Sequence, residues 1–343
     1  MQQVEQKQGL PIPTIHSVYR NEVNVPFIVT SYFALSICSV FTYDYLTTTK
    51  EYRFHYPLFT LLLQLIAALA LIQLLKWCQP RRNPWFLRFY SLSTTGWKAA
   101  LPATGIYTLI VVLDIHFLTR IPVTMYTSMH ASCVLVTLAM GMLFAQKKHR
   151  RRQKGRGHWM ATMPVWASCL VQYLGVWFSG ATDGISGFKV NGVCYTLLLA
   201  LYGYSIQRAL VTFKNDVSQF LQWHLILATL AVLSMVLVLD EFSAPYQFLL
   251  TLDQVNFWAQ MVTESAFVLS LHILMLLLIN YTSPLSYAVA STAKTCIQAV
   301  IALCVMKSLM NGYQLVCLLI SLIGAALYSR TTTTKHIDTV YSM

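Results

Sequence analysis

The chain has 343 residues, of which 56% are apolar and only 10% are charged, and its formal net charge is +12. Soluble globular domains are about 45–50% apolar and about 25% charged. This composition therefore excludes an ordinary soluble protein, and its many apolar residues exclude a disordered one. The class that remains is a helical membrane protein with several spans.

A membrane-spanning helix needs about 20 predominantly apolar residues. Ten segments meet this requirement in chain order: 26–46, 57–77, 99–118, 123–144, 160–179, 193–212, 219–239, 257–280, 284–306 and 312–329. The connections between them are short, apart from a polar segment at 145–158, and leave no room for a soluble domain. We therefore predict an all-α polytopic membrane protein with ten transmembrane helices.

The ten helices are expected to form one transporter domain over 26–329, with a polar tail at 1–25 and another at 330–343. Most of the 24 Lys and Arg residues fall on the side of the membrane that the two tails share, including the basic run at 147–156. Short basic loops mark the cytoplasmic side, so we predict that both tails are cytoplasmic. The basic run lies between two spanning helices, which favours contact with anionic lipid headgroups over nucleic-acid binding.

The fourth and ninth helices begin with similar residues. Pro122-Val123-Thr124 aligns with Pro284-Leu285-Ser286, and Ala131 aligns with Ala293 at the same offset. The offset moves the chain on by five helices, an odd number, so equivalent helices would run in opposite directions. This pattern indicates two inverted five-helix repeats, as in alternating-access transporters of the drug/metabolite type. The halves are predicted to cover 26–179 and 193–329.

Lys294 is the most informative charged residue in the sequence, because it lies about ten residues inside the ninth helix. An ionisable residue in mid-bilayer costs roughly 2.5–3.5 kcal/mol on insertion scales and marks a candidate functional site. Two partners are open: an anionic ligand, or a structural ion pair with Glu264 of the eighth helix. Asp114 in the third helix and His130 in the fourth are further polar candidates. Arg208, at the end of the sixth helix, is a site residue or an anchor of that helix end.

Several motifs that would indicate catalysis or metal binding are absent from the sequence. It contains no H-E-x-x-H motif, no Walker loop and no paired carboxylates, and its eight cysteines form no CxxC pair. We therefore predict that the protein is not an enzyme and that it needs no metal or cofactor. His224 and His272 are interpreted as packing residues.

The stretch from Tyr281 to Arg330 resembles the last two helices of the nucleotide-sugar transporter and triose-phosphate translocator superfamily. Its T-S-P-L and T-A-K-x-C-x-Q-x-V-x-A motifs, which include Lys294, Cys296 and Gln298, look most like the GDP-fucose transporter branch. The resemblance extends along the chain to four further positions: Pro57 to Gln64, Leu101-Pro102, the loop from Asp183 to Gly192, and Arg208.

Three positions depart from the family pattern. Asp114-Ile115 stands where relatives have Asn-Asn, and His130 stands where an Arg follows the start of the fourth helix, although Tyr126 is kept. Phe220-Leu221-Gln222-Trp223 replaces the F-Y-N-N of the seventh helix. These positions would shape recognition of base and sugar. The resemblance therefore predicts the fold and the transport mode better than it predicts the substrate.

The resemblance implies a nucleotide-sugar antiporter in the Golgi or endoplasmic reticulum membrane. The cargo, with GDP-fucose as first choice, would enter the lumen in exchange for a nucleoside monophosphate. Lys294 would attract the phosphates as a point charge, with Arg208 assisting on the cytoplasmic side. The pocket for base and sugar would be lined by Tyr126, His130, Gln222 and Thr292, and Asp114 would shape the same pocket.

Two alternatives to this function are kept. One is transport of another phosphorylated solute, a UDP-sugar or a sugar phosphate. The other is a membrane scaffold that has the same fold and has lost transport, which the departures at Asp114 and His130 favour. The sequence leaves open whether the protein forms a homodimer. Nucleic acid is not an expected partner.

Overall fold

A computed structural model describes residues 24–48, 56–78, 96–118, 123–149, 157–181, 190–241, 254–306 and 312–341. These residues form ten α-helices, which we number in chain order: α1 (Val25–Thr48), α2 (Pro57–Cys78), α3 (Trp97–Leu118), α4 (Val123–His149), α5 (Gly157–Ala181), α6 (Val190–Thr212), α7 (Val217–Val238), α8 (Val255–Tyr281), α9 (Pro284–Met306) and α10 (Gly312–Tyr341). The predicted helices are all present, in the predicted order.

The helix ends differ from the predicted ends where polar residues continue an apolar helix. The tenth helix was expected to end at residue 329 and instead runs to Tyr341. Likewise α4 continues past residue 144 to His149, into the basic run. The reason is that hydropathy detects only the apolar span, while a helix continues until a residue such as Gly or Pro interrupts it.

Six of the described helices are long and apolar enough to cross a membrane, and α4 and α5 contain shorter apolar segments. The distribution of side chains agrees with a lipid environment. Large apolar residues such as Phe27, Leu74 and Leu230 are exposed on the outer surface, whereas the buried set includes polar residues such as Gln172 and Glu264. An exposed apolar surface of this extent is unfavourable in water and favourable in lipid. The chain is therefore a multi-pass membrane protein.

Several of the strongest contacts between helices are related to one another by a shift of five helices. The contact of α1 with α8 corresponds to the contact of α6 with α3, and the contact of α4 with α5 corresponds to that of α9 with α10. The contact of α2 with α8 likewise corresponds to that of α7 with α3. The pairs α2 with α7, α4 with α9 and α5 with α10 map onto themselves, and all three are in contact.

Helices α5 and α10 approach each other closely at two glycines. A Cβ atom at Gly324 would lie 2.4 Å from the backbone nitrogen of Gln172, and one at Gly175 would lie 2.6 Å from the carbonyl oxygen of Cys317. Small residues at helix interfaces allow this approach in membranes, where association depends on van der Waals packing rather than on the hydrophobic effect. The glycines are thus required by the packing of α5 on α10.

A tight turn joins α6 to α7 and sets where α7 begins. Lys214 and Asn215 have positive φ angles of 54° and 63°, a region that Asn occupies more readily than most residues. Asp216 then caps the helix, because its carboxylate accepts hydrogen bonds from the backbone N–H groups of Ser218 and Gln219. This start brings one face of α7, with Gln222 and His224, into the protein interior.

Candidate functional site

A small cavity lies between α4, α6 and α9. Its volume of about 20 Å³ has room for about one water molecule. Its walls combine aromatic, hydroxyl and apolar side chains from the three helices: His130, Cys133 and Thr137; Leu199, Ala200, Tyr202 and Gly203; Pro284, Tyr287, Ala288 and Ser291. A cavity of this size does not hold a nucleotide-sugar, so a cargo of that size would bind here only after α4, α6 and α9 separate.

Lys294 lies one turn beyond Ser291 and two turns beyond Tyr287, and therefore on the cavity-facing side of α9. Its side chain is half-buried, and its ammonium nitrogen lies 5.3 Å from the centre of the Tyr32 ring of α1. The Tyr32 ring in turn meets the Tyr287 ring edge-on, with centres 6.3 Å apart. His130, from α4, is close enough to Lys294 for the two to interact electrostatically. These contacts place the lysine beside the cavity wall.

Glu264 is not the ion-pair partner of Lys294 in the described part of the chain. Its Oε1 accepts a 2.6 Å hydrogen bond from the hydroxyl of Ser39 on α1, and its Oε2 has no hydrogen-bond partner among the described residues. One turn nearer to Lys294, the amide of Gln298 donates to the hydroxyl and carbonyl oxygens of Ser36, at 2.8 and 3.0 Å. Helix α1 therefore contacts α9 and α8 through successive polar side chains on one face.

The structure brings only some of the sequence-predicted residues together. His130 lines the cavity and interacts with Lys294. Thr292 is fully buried and is not among the cavity-lining residues, and its hydroxyl finds no hydrogen-bond partner among the described residues. Its neighbour Ser291 occupies the cavity wall instead, since one helical residue turns a side chain by about 100°.

The other candidates are distributed over different helices. Gln222 is buried on α7, and neither amide atom has a hydrogen-bond partner among the described residues. Arg208 is exposed in the last turns of α6, and Asp114 is half-buried on α3, where it interacts electrostatically with Tyr107. The side chain of Tyr126 lies outside the described residues. Gln222, Arg208 and Asp114, whose side chains are described, do not line the cavity.

Sequence reasoning missed the aromatic residues of this region. Tyr202 and Tyr287 both line the cavity, and Tyr32 holds the ammonium of Lys294. The available signal on α9 was the helical spacing of Tyr287, Ser291 and Lys294, which recurs at four and three residues and so predicts a common face. No such signal existed for Tyr32, which comes from the far end of the sequence.

Behind the cavity wall, His224 of α7 joins two other helices through hydrogen bonds. The hydroxyl of Thr104 donates its only proton to the carbonyl of Ala100 (3.0 Å), so it accepts from Nδ1–H of His224 (3.0 Å). The Nε2 atom is then left to accept from the Tyr202 hydroxyl at 3.4 Å. The ring also stacks on Phe220 at 5.6 Å. His224, predicted as a packing residue, is thus also a neutral hydrogen-bond bridge to the cavity-lining Tyr202.

Replacing His224 by phenylalanine is expected to destabilise the protein by about 1–3 kcal/mol, because the buried hydroxyl of Tyr202 loses its acceptor while the stacking on Phe220 is kept. The measurement is the thermal midpoint in detergent. In the double variant with Tyr202→Phe the second substitution should cost less than it does alone, since the shared bond is already lost. Fully additive effects would contradict the bridge.

No family model matches the chain. The chain is similar to GDP-fucose transporter 1 of Dictyostelium discoideum, with 24% identity over 280 residues, which cover 80% of this chain and 72% of the relative. The similarity supports a nucleotide-sugar transporter family. The relative is a transporter, which is not an enzyme, in agreement with the absence of catalytic motifs from the sequence.

A solved crystal structure shares the fold. It matches with a TM-score of 0.51 at 11% sequence identity, over 89% of this chain and 96% of that chain. At this identity the match concerns the fold alone, and it extends over nearly the whole helical domain. The sequence similarity to the transporter and the fold match thus both span most of the chain.

Proposed function

We propose that this protein is a nucleotide-sugar antiporter, with GDP-fucose as its first candidate cargo and a nucleoside monophosphate as the returning solute. The observation that carries the proposal is the position of Lys294: a lysine in the middle of α9, beside a cavity, in a chain that is similar to a GDP-fucose transporter over 80% of its length. A charge within a spanning helix is retained where an anion is bound or a charge is paired, and Glu264, the pairing partner considered in the sequence, is bonded to Ser39 instead.

In the proposed cycle Lys294 binds the phosphates of either solute in turn. Both solutes are anionic, so the same ammonium stabilises each in the low dielectric of the protein interior. His130 and Tyr202 would line the part of the site nearest to the lysine, as they line the described cavity. Gln222, Thr292, Tyr126 and Asp114 would shape recognition of base and sugar after the helices separate, and Arg208 would assist entry from the cytoplasmic side.

Alternating access would come from two inverted five-helix halves. The paired helix contacts support this proposal, because a shift of five helices converts several of the strongest contacts into one another. The sequence similarity between the starts of α4 and α9 supports it as well. In transporters of this kind the site lies near the membrane midplane between the repeats, and Lys294 is at the middle of α9. Exchange driven by the solute gradients needs no ATP.

The proposed location is the Golgi or endoplasmic reticulum membrane, with both termini in the cytoplasm. The similarity to a GDP-fucose transporter supports a compartment in which nucleotide-sugars are consumed. The concentration of basic residues on one side supports the orientation of the termini. A homodimer is compatible with this function but is not required by it.

A membrane scaffold without transport is the second candidate function. The residues that favour it are His130 and Asp114, which differ from the family pattern. A UDP-sugar or a sugar phosphate is the alternative cargo if transport is retained.

Purified protein screened by thermal shift with GDP-, UDP- and CMP-sugars should be stabilised by GDP-fucose and by GMP, because a ligand that binds only the folded state raises its stability. Proteoliposomes preloaded with GMP should then take up GDP-fucose. Stabilisation by UDP compounds alone would move the proposal to another cargo. No stabilisation by any of them and no uptake would favour the scaffold.

A further inference from the structure

The contact between Lys294 and Tyr32 has a consequence for how strictly transport is coupled, if the proposed exchange function holds. Lys294 lies in the middle of α9, which the sequence predicts to span the membrane, and an ammonium without a partner is costly there. The described chain offers it one direct partner, the face of the Tyr32 ring at 5.3 Å, which is within the range of a cation–π interaction. Since the same ammonium is the proposed phosphate ligand, ring and phosphate compete for one charge.

The closed arrangement of the helices is where this competition matters. The cavity beside Lys294 has room for about one water molecule, so a carrier closed in this way cannot also hold a nucleotide-sugar. Any unloaded carrier that changes sides must pass through a closed arrangement of this type. There the lysine lacks a phosphate, and Tyr32 is the group that compensates its charge.

The contact is held in place from both sides. Tyr32 is buried and meets the Tyr287 ring edge-on. One turn along α1, Ser36 accepts two hydrogen bonds from Gln298, which lies one turn beyond Lys294 on α9. These bonds fix the register of α1 against α9, and the ring is therefore positioned over the ammonium whenever the two helices are together.

We infer that Tyr32 is a positioning residue that substitutes for the phosphate at Lys294 when the unloaded carrier changes sides. A cation–π interaction is weaker than a charge pair with phosphate. The unloaded carrier therefore crosses more slowly than the loaded one but does cross, and the strength of the ring contact sets the rate of net transport relative to exchange.

The test is the ratio of net efflux to exchange in proteoliposomes. Vesicles with the full-length protein are loaded with labelled GMP and diluted into buffer without nucleotide or with saturating GDP-fucose. Only net efflux includes a crossing by the unloaded carrier. In Tyr32→Leu the ratio is expected to fall about tenfold, since a partly desolvated cation–π contact corresponds to roughly that factor. Tyr32→Phe, which keeps the ring, should retain the wild-type ratio.

Two further variants separate the charge effect from packing. Phe33→Leu removes the neighbouring ring of α1, which packs against the core and has its centre 6.3 Å from that of the Tyr32 ring. Because Tyr32 itself is kept, this variant should leave the ratio unchanged. Tyr32→Met fills the space with a flexible apolar side chain and should lower the ratio as Leu does, which keeps the test available if Tyr32→Leu folds poorly.

The outcomes are distinguishable. Equal ratios in Tyr32→Met, Tyr32→Phe and the wild type would overturn the role of Tyr32 while leaving the exchange function intact. A loss of ratio in Tyr32→Phe equal to that in Tyr32→Met would also overturn it, because the hydroxyl and not the ring would then be responsible. Absence of exchange by the wild-type protein with every nucleotide-sugar tested would contradict the proposed function itself, and this inference with it.

Discussion

Lys294→Ala is expected to lower the exchange of GDP-fucose for GMP by at least about thirtyfold while the protein remains folded. Truncating one member of a buried, hydrogen-bonded charge pair costs about 2–5 kcal/mol, and each 1.4 kcal/mol is tenfold. Folding should persist because no described carboxylate depends on this lysine: Glu264 is bonded to Ser39 instead. The measurements are uptake of labelled GDP-fucose into GMP-loaded proteoliposomes and the thermal midpoint of each variant.

Two control variants define the interpretation of Lys294→Ala. Lys98→Ala removes another lysine that lies over an aromatic ring, 5.6 Å from the centre of Trp97, but at the exposed start of α3. It should leave exchange unchanged. Lys294→Arg keeps the charge and changes its geometry, so it should retain partial activity. Full exchange by Lys294→Ala would refute the phosphate role.

Gly324→Ala is expected to destabilise the helical domain by about 3 kcal/mol or more, although alanine normally favours a helix by about 1 kcal/mol over glycine. The added Cβ would lie 2.4 Å from the backbone nitrogen and 2.8 Å from the Cα of Gln172, so α5 and α10 would have to separate. Neither contact atom can rotate away, because both belong to the backbone. The readouts are the thermal midpoint and the yield of monodisperse protein in detergent.

Gly105 of α3 offers the matched control. A Cβ atom at this position would have no heavy atom within 4 Å, so Gly105→Ala should be neutral or slightly stabilising. Gly175→Ala, which meets the Cys317 carbonyl oxygen and the Ser321 nitrogen at 2.6 Å, should behave like Gly324→Ala. Similar midpoints for Gly324→Ala and Gly105→Ala would show that the close approach of α5 and α10 is unimportant for stability.

The sequence alone determined the number, order and approximate ends of the described helices. The physical reason is that a segment in lipid must be apolar and must satisfy its own backbone hydrogen bonds, so hydropathy and helix coincide. The cost of burying a charge in lipid likewise singles out Lys294 by its position in an apolar segment. Prediction was least accurate at α10, which continues to Tyr341, because polar residues beyond a span do not by themselves end a helix.

Only the tertiary structure decided which side chains meet. Thr292 and Ser291 are adjacent and chemically alike in the sequence, yet Ser291 lines the cavity and Thr292 is buried elsewhere. Gly324 and Gly105 are likewise both helix glycines in the sequence. Gly324 nevertheless lies against the backbone of a neighbouring helix, whereas a Cβ atom at Gly105 would point into open space. The partner of Lys294 is Tyr32, from the opposite end of the chain, and not the nearby Glu264. Local patterns determine a helix because its hydrogen bonds are local, whereas partners depend on how helices turn and cross, and these are set by the packing of the whole domain.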